Sequence, residues 1–231
     1  EEGKIIAHHG QNLWWRNKTI GGPRPDFLHC LPIGFENRQY KVGRNPQVYA
    51  DMIRQNVLNK PMRSMEELDK RSLLFVAFYP KGRIPDRAKV LDFLGAYKPN
   101  PNNQPRWYNH TDVDHQGWLD GIWHHKFTLA PFGHGLDTHR MSEILLMGGI
   151  PVIKQSSITS CYDDTDNDMG SSLPPRKSLP LVILKSWNEL TKEKLDAEWE
   201  RIKAVPSDQW DHTRLLLDHW TTRIKNLGTG K

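Results

Sequence analysis

The stretch with the clearest chemical pattern runs from Lys126 to Lys154, KFTLAPFGHGLDTHRMSEILLMGGIPVIK. Its order of residue types predicts a buried strand, a glycine turn, a helix, a glycine stop and a second strand. Gly133 and Gly135 follow the first strand, where the absence of side chains lets a ligand approach the backbone closely. The helix that follows offers free N–H groups and the positive end of its dipole. Together these features predict a site for a diphosphate.

Three side chains of the same helix add to this site. His139 and Arg140 lie in the predicted first turn, where they supply positive charge and hydrogen-bond donors, and Glu143 lies one turn further on. A carboxylate in that position can accept hydrogen bonds from the hydroxyl groups of a ligand. The alternative for Glu143 is a surface carboxylate that pairs with Arg140 at i, i+3.

Buried strands alternate with helices from residue 71 onward, and this alternation predicts an α/β domain with a parallel sheet. Predicted strands lie at Leu73–Tyr79, Phe127–Ala130, Ile150–Ile153 and Leu181–Leu184, and predicted helices at Arg87–Leu94, Asp112–Trp123 and Asp137–Met147. Two helices are expected at the end of the chain, one capped near Thr191 and one that starts near Ser207. Ligands of open parallel sheets bind at the carboxyl ends of the strands, where the glycine turn would lie.

The first 70 residues carry weaker patterns. Two strands, a helix start and a capping box are predicted at Lys4–Ala7, Phe27–Leu31, Asn45-Pro46 and Ser64–Glu67. The stretch between the two strands, His8–Asp26, is polar and aromatic without a regular period, and we expect an irregular loop there.

The composition is that of a folded, water-soluble protein, with 231 residues, 37% hydrophobic, 26% charged and a formal net charge of +5. No apolar run is long enough to span a bilayer. The basic residues are dispersed, which suits an anionic ligand without predicting nucleic acid. Cys30 and Cys161 are too few for a disulfide scaffold but allow a single bridge. Because the chain begins without Met and without a signal-peptide pattern, we expect it to be a processed form.

One cluster of acidic residues could hold a metal ion; its members are Asp163, Asp164, Asp166 and Asp168. A calcium loop does not fit, because Gly170 comes one place too late and Pro175 stands where a bidentate Glu is needed. A D-x-D site for a metal and a diphosphate does not fit either, because the cluster lies in a polar insertion and not after a buried strand. We therefore expect a solvated loop here, and no metal or cofactor in the protein.

The string G-x-G-x-x-x-x-R-x-x-E-x-x-x-x-G-x-x-P, from Gly133 to Pro151, resembles the nucleotide-sugar site of GT-B glycosyltransferases of the exostosin-like group. Three further segments resemble parts of the same group: Leu31–Glu36, Leu73–Arg83 and Leu179–Leu190. The resemblance implies a Rossmann-like C-terminal domain of GT-B type with a reduced or truncated N-terminal α/β part. It also points to an alga, or a large DNA virus that infects algae, as the source.

The resemblance assigns roles to individual residues. Glu143 would bind the ribose hydroxyls of the donor. The backbone amides of Gly133–Gly135, with His134 and Arg140, would hold the diphosphate, and Arg83 or Arg87 would reach it from the first turn of the domain. Trp107 or Tyr108 would pack on the base.

The implied reaction transfers a sugar from a nucleoside-diphosphate sugar to a hydroxyl of an oligosaccharide or glycoprotein. UDP is the favoured nucleotide and UDP-xylose a candidate donor, and inversion without a metal is expected. An inverting enzyme needs a general base for the acceptor hydroxyl. The candidates are His8, His9, Asp26 and Glu36, with His9 and Asp26 favoured, and Trp14 and Trp15 could stack on the acceptor sugar.

By the same resemblance, residues 1–45 would be the remnant of the acceptor-side domain, residues 46–70 a helical linker, and residues 71–231 the nucleotide-sugar domain. A cytoplasmic location is expected, or the Golgi lumen if an upstream anchor was removed. The rival from another class is a non-catalytic module that binds glycans or nucleic acid, which the basic charge and the 9 tryptophans permit. Among enzymes, a nucleotide-sugar hydrolase or epimerase on the same fold is the rival.

Overall fold

A computed structural model describes residues 8–11, 28–34, 47, 50, 51, 54, 65–78, 84–96, 107–162, 179–206 and 209–228. Several predicted features lie outside these residues: the strand Lys4–Ala7, the side chains of Asp26, Glu36 and Arg83, and the acidic cluster. Within the described part of the chain, no helix combines the length and the apolar character that crossing a membrane requires.

The described strands form two sheets. Their bounds are β1 (His8–Gln11), β2 (Leu28–Leu31), β3 (Ser72–Val76), β4 (Tyr108–His110), β5 (His125–Leu129), β6 (Ile150–Lys154) and β7 (Val182–Leu184). The larger sheet is wholly parallel and has the spatial order β4-β3-β5-β6-β7, while β1 pairs with β2 in a small parallel sheet of its own. The predicted α/β domain with a parallel sheet is therefore confirmed.

Helices cover both faces of the large sheet. They are α1 (Met65–Asp69), α2 (Pro85–Leu94), α3 (His115–His124), α4 (His139–Leu146), α5 (Lys192–Lys203) and α6 (Leu217–Gly228). Val90 of α2 and Leu195 of α5 share one core with Leu74 of β3. Ile122 of α3 and Ile144 of α4 share the opposite core with Phe75 of β3. Neighbouring residues of β3 thus face different cores, as the period of a strand requires.

The strand order reverses between β3 and β5. From β3 the chain passes through α2 on one face to the edge strand β4, and from β5 it passes through α4 on the other face to β6. The loops that leave the carboxyl ends of two such strands run to opposite faces of the sheet, and an opening lies between them. This point in the fold, between β3 and β5, is where a ligand of a doubly wound sheet is expected.

The strand pair β1–β2 is attached to the large domain by the segment that follows β2. The N–H of Ile33 donates to Asp137 Oδ2 at 2.7 Å, and the carbonyl of Gly34 lies 2.9 Å from His139 Nδ1. Cys161 is disulfide-bonded, and the other cysteine of the sequence is Cys30 on β2. The N-terminal strands therefore sit beside the start of α4, next to the glycine turn.

Three elements differ from the prediction. The irregular stretch expected from His8 onward begins with strand β1, and β4 was not predicted at all. The last helix starts at Leu217, after a 3-10 turn at His212–Leu215, and not near Ser207. One helix cannot carry both tryptophans of this region, because Trp210 packs into the core on one face of the sheet and Trp220 into the core on the other.

Candidate functional site

The candidate site is the opening between the chain that follows β3, at Ala77 and Phe78, and the loop that follows β5, Ala130–Thr138. We call it the switch-point crevice. Arg140 of α4 donates from Nη1 to the carbonyl of Ala77 at 2.6 Å, and Arg87 of α2 donates from Nε to the carbonyl of Phe132 at 3.3 Å. Each arginine therefore reaches from its own helix to the loop of the other strand.

Arg140 is held by an aromatic ring as well as by its hydrogen bond. Its guanidinium carbon lies 4.2 Å from the ring centroid of Trp118, on α3. Burial and the charge of Arg87 together lower the pKa of Arg140 to about 10, although Glu143 acts in the opposite direction. A group with this pKa stays protonated at neutral pH, so the crevice keeps a partly desolvated positive charge.

Arg87 lies close enough to Arg140 for the two charges to disfavour each other. Burial lowers the pKa of Arg87, and its guanidinium lies 5.9 Å from the ring centroid of Phe78. A Cβ atom at Gly133 would stand 3.4 Å from Nη2 of Arg87 and 3.1 Å from a methyl group of Thr138. Two neighbouring cations beside the glycine turn form a place where an anion would relieve the repulsion between their charges.

Glu143 is buried on α4, with 4% of its surface exposed. Its Oε2 accepts a hydrogen bond from the indole N–H of Trp118 at 2.8 Å, and its Oε1 lies 3.7 Å from His115 Nε2. The alternative of a solvated surface carboxylate is therefore wrong. Glu143 and Arg140 both hold Trp118, one at its edge and one at its face. The predicted role of Glu143 towards ribose stays a prediction.

One main-chain N–H of the glycine turn makes a hydrogen bond within the turn itself. The N–H of Gly133 donates to the carbonyl of Gly135 at 3.0 Å, so this amide is not aimed at a ligand. His134 between them is exposed. Thr138, the residue before α4, makes no side-chain cap, and its own N–H donates to Asp137 Oδ1 at 2.8 Å. The donors at this end of the crevice include the first N–H groups of α4 and the guanidinium groups of Arg87 and Arg140.

Asp137 is the buried acid behind the turn. Its carboxylate accepts hydrogen bonds from Ile33, Thr138 and the hydroxyl of Tyr162, which lies 2.8 Å from both oxygens. Burial raises the pKa of Asp137 and these hydrogen bonds oppose the rise, while burial and the nearby carboxylate raise the pKa of Tyr162. Asp137 thereby joins the end of β2 to the start of α4.

Asp86 is a site residue that the sequence reasoning missed. It lies in the first turn of α2, and its carboxylate contacts three donors: the N–H of Phe132, the ammonium group of Lys154 and the indole N–H of Trp187. Lys154 ends β6 and Trp187 follows β7. An acidic residue in the first turn of a helix is common enough that its type and position alone did not mark it.

The remaining predicted residues fall in different places. His9 lies on β1, where it pairs in register with His29 of β2. Asp26 and Arg83 lie outside the described residues. Tyr108 starts the edge strand β4, in register with Leu74 in the middle of β3, and its hydroxyl donates to the carbonyl of Leu94 at 2.9 Å. Trp107 packs edge-on against Tyr108, so the structure supports a packing role for this pair.

The five-stranded parallel sheet with helices on both faces is a Rossmann-like α/β domain of the kind found at the C-terminus of exostosin-like glycosyltransferases. A family model described as the RXYLT1 C-terminal domain matches residues 100–226, and the chain belongs to this family. The match includes the glycine turn, Arg140 and Glu143, whereas Asp86 and Arg87 precede it.

A curated relative supports this assignment. The chain is 26% identical over 117 residues to the mouse (Mus musculus) protein ribitol-5-phosphate xylosyltransferase 1. The aligned part makes up 50% of this chain and 25% of the relative. The chain thus corresponds to about a quarter of the length of that protein.

Proposed function

We propose that this chain provides the donor-binding domain of a glycosyltransferase that takes a sugar from a nucleoside-diphosphate sugar. The observation that carries the proposal is the crossing of Arg87 and Arg140 at the switch-point crevice, where each arginine donates to the loop of the other strand. Both guanidinium groups are desolvated, and the charge of Arg87 lowers the pKa of Arg140. A diphosphate supplies the negative charge that this arrangement lacks. UDP is the nucleotide we favour, and the name of the mouse relative makes xylose the first sugar to test.

The chemistry that we propose is a single displacement at the anomeric carbon. The bond from this carbon to the diphosphate oxygen breaks, a bond to the acceptor hydroxyl oxygen forms, and the hydroxyl proton passes to a general base. Negative charge grows on the leaving diphosphate, and Arg87, Arg140 and the N-terminus of α4 are placed to stabilise it. The product would carry the configuration opposite to that of the donor.

We propose that this stabilisation needs no metal ion. Within the described residues, no group of three or more His, Cys, Asp or Glu side chains is placed to hold one. Two arginines can neutralise a diphosphate by hydrogen bonding. Activity should therefore persist in excess EDTA, whereas loss on chelation and recovery with manganese would contradict the proposal.

The acceptor is proposed to be a glycan hydroxyl that approaches from the side of the N-terminal strands. The segment Leu31–Gly34 lies against the start of α4 through Asp137 and His139, which brings β1 and β2 near the crevice. His9, on β1, and Asp26, just before β2, are the bases that we favour. No acceptor more specific than an oligosaccharide or glycoprotein is proposed.

We also propose that the protein works in an oxidising compartment such as the Golgi lumen, in preference to the cytoplasm. The support is the disulfide bond of Cys161, because such bonds rarely persist in the reducing cytosol. Alkylation of the native protein, isolated with and without prior reduction, measures whether the bond is present in cells.

The experiment that tests the proposed function is calorimetric titration of the chain with UDP, GDP, ADP and their sugars in excess EDTA. Saturable binding of one nucleoside diphosphate with micromolar-scale affinity is expected. Donor hydrolysis without an acceptor would indicate the hydrolase alternative, and binding of glycans or oligonucleotides without any nucleotide binding would refute the proposal.

A further inference from the structure

Both main-chain polar groups of one residue, Phe132, are held by consecutive residues of α2. Asp86 accepts the N–H of Phe132 through Oδ2 at 3.2 Å, and Arg87 donates from Nε to the carbonyl of Phe132 at 3.3 Å. Phe132 directly precedes Gly133, so this double contact fixes the direction in which the chain enters the glycine turn. The second contact also orients the guanidinium of Arg87.

The carboxylate of Asp86 also contacts residues at the carboxyl end of β6 and after β7. Asp86 Oδ1 accepts a hydrogen bond from Trp187 Nε1 at 3.0 Å and pairs with the ammonium group of Lys154. That ammonium group also lies 4.6 Å from the ring centroid of Phe132. Thus Asp86 connects the start of α2 with the ends of β5 and β6 and with the turn after β7.

The position of Asp86 is unfavourable on charge alone. A carboxylate one residue from Arg87 in the chain would repel a diphosphate bound in the crevice, and the side chain of Asp86 is 11% exposed, so water screens it little. Three hydrogen-bond donors stabilise the carboxylate of Asp86, and one of them, the ammonium group of Lys154, is charged. Asp86 therefore serves the crevice by fixing the positions of Phe132 and Arg87, and not by its charge.

We propose that Asp86 is a positioning residue for the donor, which acts through Phe132 and Arg87 and does not touch the nucleotide. This inference rests on the proposed function. It has a consequence of unusual sign: removing this negative charge from the edge of an anion site should weaken anion binding. An acid that acted only through its charge would give the opposite result, because its removal would strengthen binding.

The test compares the UDP affinity of the wild type with that of Asp86→Asn and Asp86→Ala, at a temperature where all three are folded. Asp86→Ala should raise the dissociation constant about 10-fold or more, because a hydrogen bond to a charged acceptor is lost at each of three donors. Asp86→Asn should raise it less, since its amide oxygen can still accept from Phe132. The control is Asp92→Asn, which removes an exposed acid from the same helix and should leave the affinity unchanged or slightly improved.

Hydrogen exchange of the free protein gives a second readout, which serves if Asp86→Ala does not fold. In Asp86→Asn, the peptide with residues 130–138 should exchange faster than in the wild type, while that of β3 should not change. UDP binding that is unchanged or tighter in both Asp86 variants, with unchanged exchange, would overturn the inference alone. Failure of the wild type to bind any nucleoside diphosphate would instead refute the proposed function.

Discussion

The guanidinium of Arg140 donates a hydrogen bond of 2.6 Å to the carbonyl oxygen of Ala77, across the point where the strand order of the sheet reverses. Arg140 follows β5, and Ala77 follows β3. The carbonyl of Ala77 lies one residue beyond the end of β3, outside the ladder of the sheet, and here it orients a cation. The same cation is stacked on Trp118, so the fold determines both its position and its plane.

Arg140→Met should abolish most nucleotide binding. The variant keeps an unbranched side chain to cover Trp118 but loses the charge and the donors, and we expect a loss of about 1.5–3 kcal/mol in the free energy of UDP binding. Arg201→Met is the matched control, because Arg201 also donates to a main-chain carbonyl, that of Leu181, but lies on α5 away from the crevice. Equal UDP affinities of the two variants in calorimetry would contradict the role of Arg140.

Glu143→Gln tests the carboxylate without removing its structural contact. A glutamine oxygen can still accept the indole N–H of Trp118, so the variant should fold with near-normal stability. The charge that would bind ribose hydroxyls is lost, and UDP affinity should fall by about 10-fold. Trp118→Phe removes the indole donor and part of the ring on which Arg140 stacks, so it measures the loss of the Trp118 contact and not the loss of the carboxylate charge. If Glu143→Gln binds UDP like the wild type, Glu143 is a structural residue and the ribose assignment is wrong.

Much of the large domain could be predicted from the sequence because its strands are continuous apolar runs. Strands β3, β5, β6 and β7 all fall within a few residues of their predicted bounds. β4 was missed because its three residues, Tyr108–His110, combine one aromatic with two polar side chains and have no apolar run of their own. Its place in the sheet comes from pairing with β3, which is a long-range contact.

The site was predicted only where a motif marks it. Gly133, Arg140 and Glu143 belong to one string, and the structure places them around the start of α4. Asp86 and Lys154 are far apart in sequence and meet only because α2 begins and β6 ends at the same edge of the sheet. No local spacing encodes such a pair. The internal hydrogen bond of Gly133 is equally invisible in a sequence, since it depends on the conformation of the turn.

The disulfide bond of Cys161 should hold the N-terminal strands against the large domain. Cys161→Ser is expected to lower the free energy of unfolding by about 2–4 kcal/mol, because the cross-link restricts the unfolded chain. Urea unfolding of the wild type, with and without a reductant, gives the comparison. The reductant should lower the stability of the wild type to that of the variant and leave the variant itself unchanged. A wild type that does not respond to the reductant would contradict the expectation.

A general base in the N-terminal segment should affect turnover and not donor binding. Replacement of the true base, with His9→Gln and Asp26→Asn as the first variants, is expected to lower kcat by about 10²–10⁴-fold and leave UDP affinity nearly unchanged. Glu36→Gln is the next to test. Full turnover in all three variants and in His8→Gln would place the base elsewhere, and a product that keeps the donor configuration would exclude the single displacement.

Buried histidines should make the protein less stable in mild acid. Burial lowers the pKa of His125, which stacks on Phe75 with the ring centroids 5.0 Å apart, and burial also lowers that of His212. In the unfolded chain a histidine titrates near 6.5, so below this pH the unfolded state binds more protons than the folded state. Stability is therefore complete above about pH 6.5 and falls as the pH drops towards the folded pKa values. The raised pKa of Asp137 acts in the opposite direction.

The measurement is urea unfolding between pH 7.5 and 5.5 for the wild type and for His125→Phe and His125→Asn. Each histidine contributes at most about 1.4 kcal/mol per pH unit to the slope of the free energy of unfolding against pH. The loss of one histidine should therefore make this slope measurably smaller. The phenylalanine keeps an aromatic ring against Phe75 and the asparagine does not, so the two variants should differ in stability but share one slope. If their slope equals that of the wild type, His125 does not contribute to the acid sensitivity, and burial does not lower its pKa enough to matter.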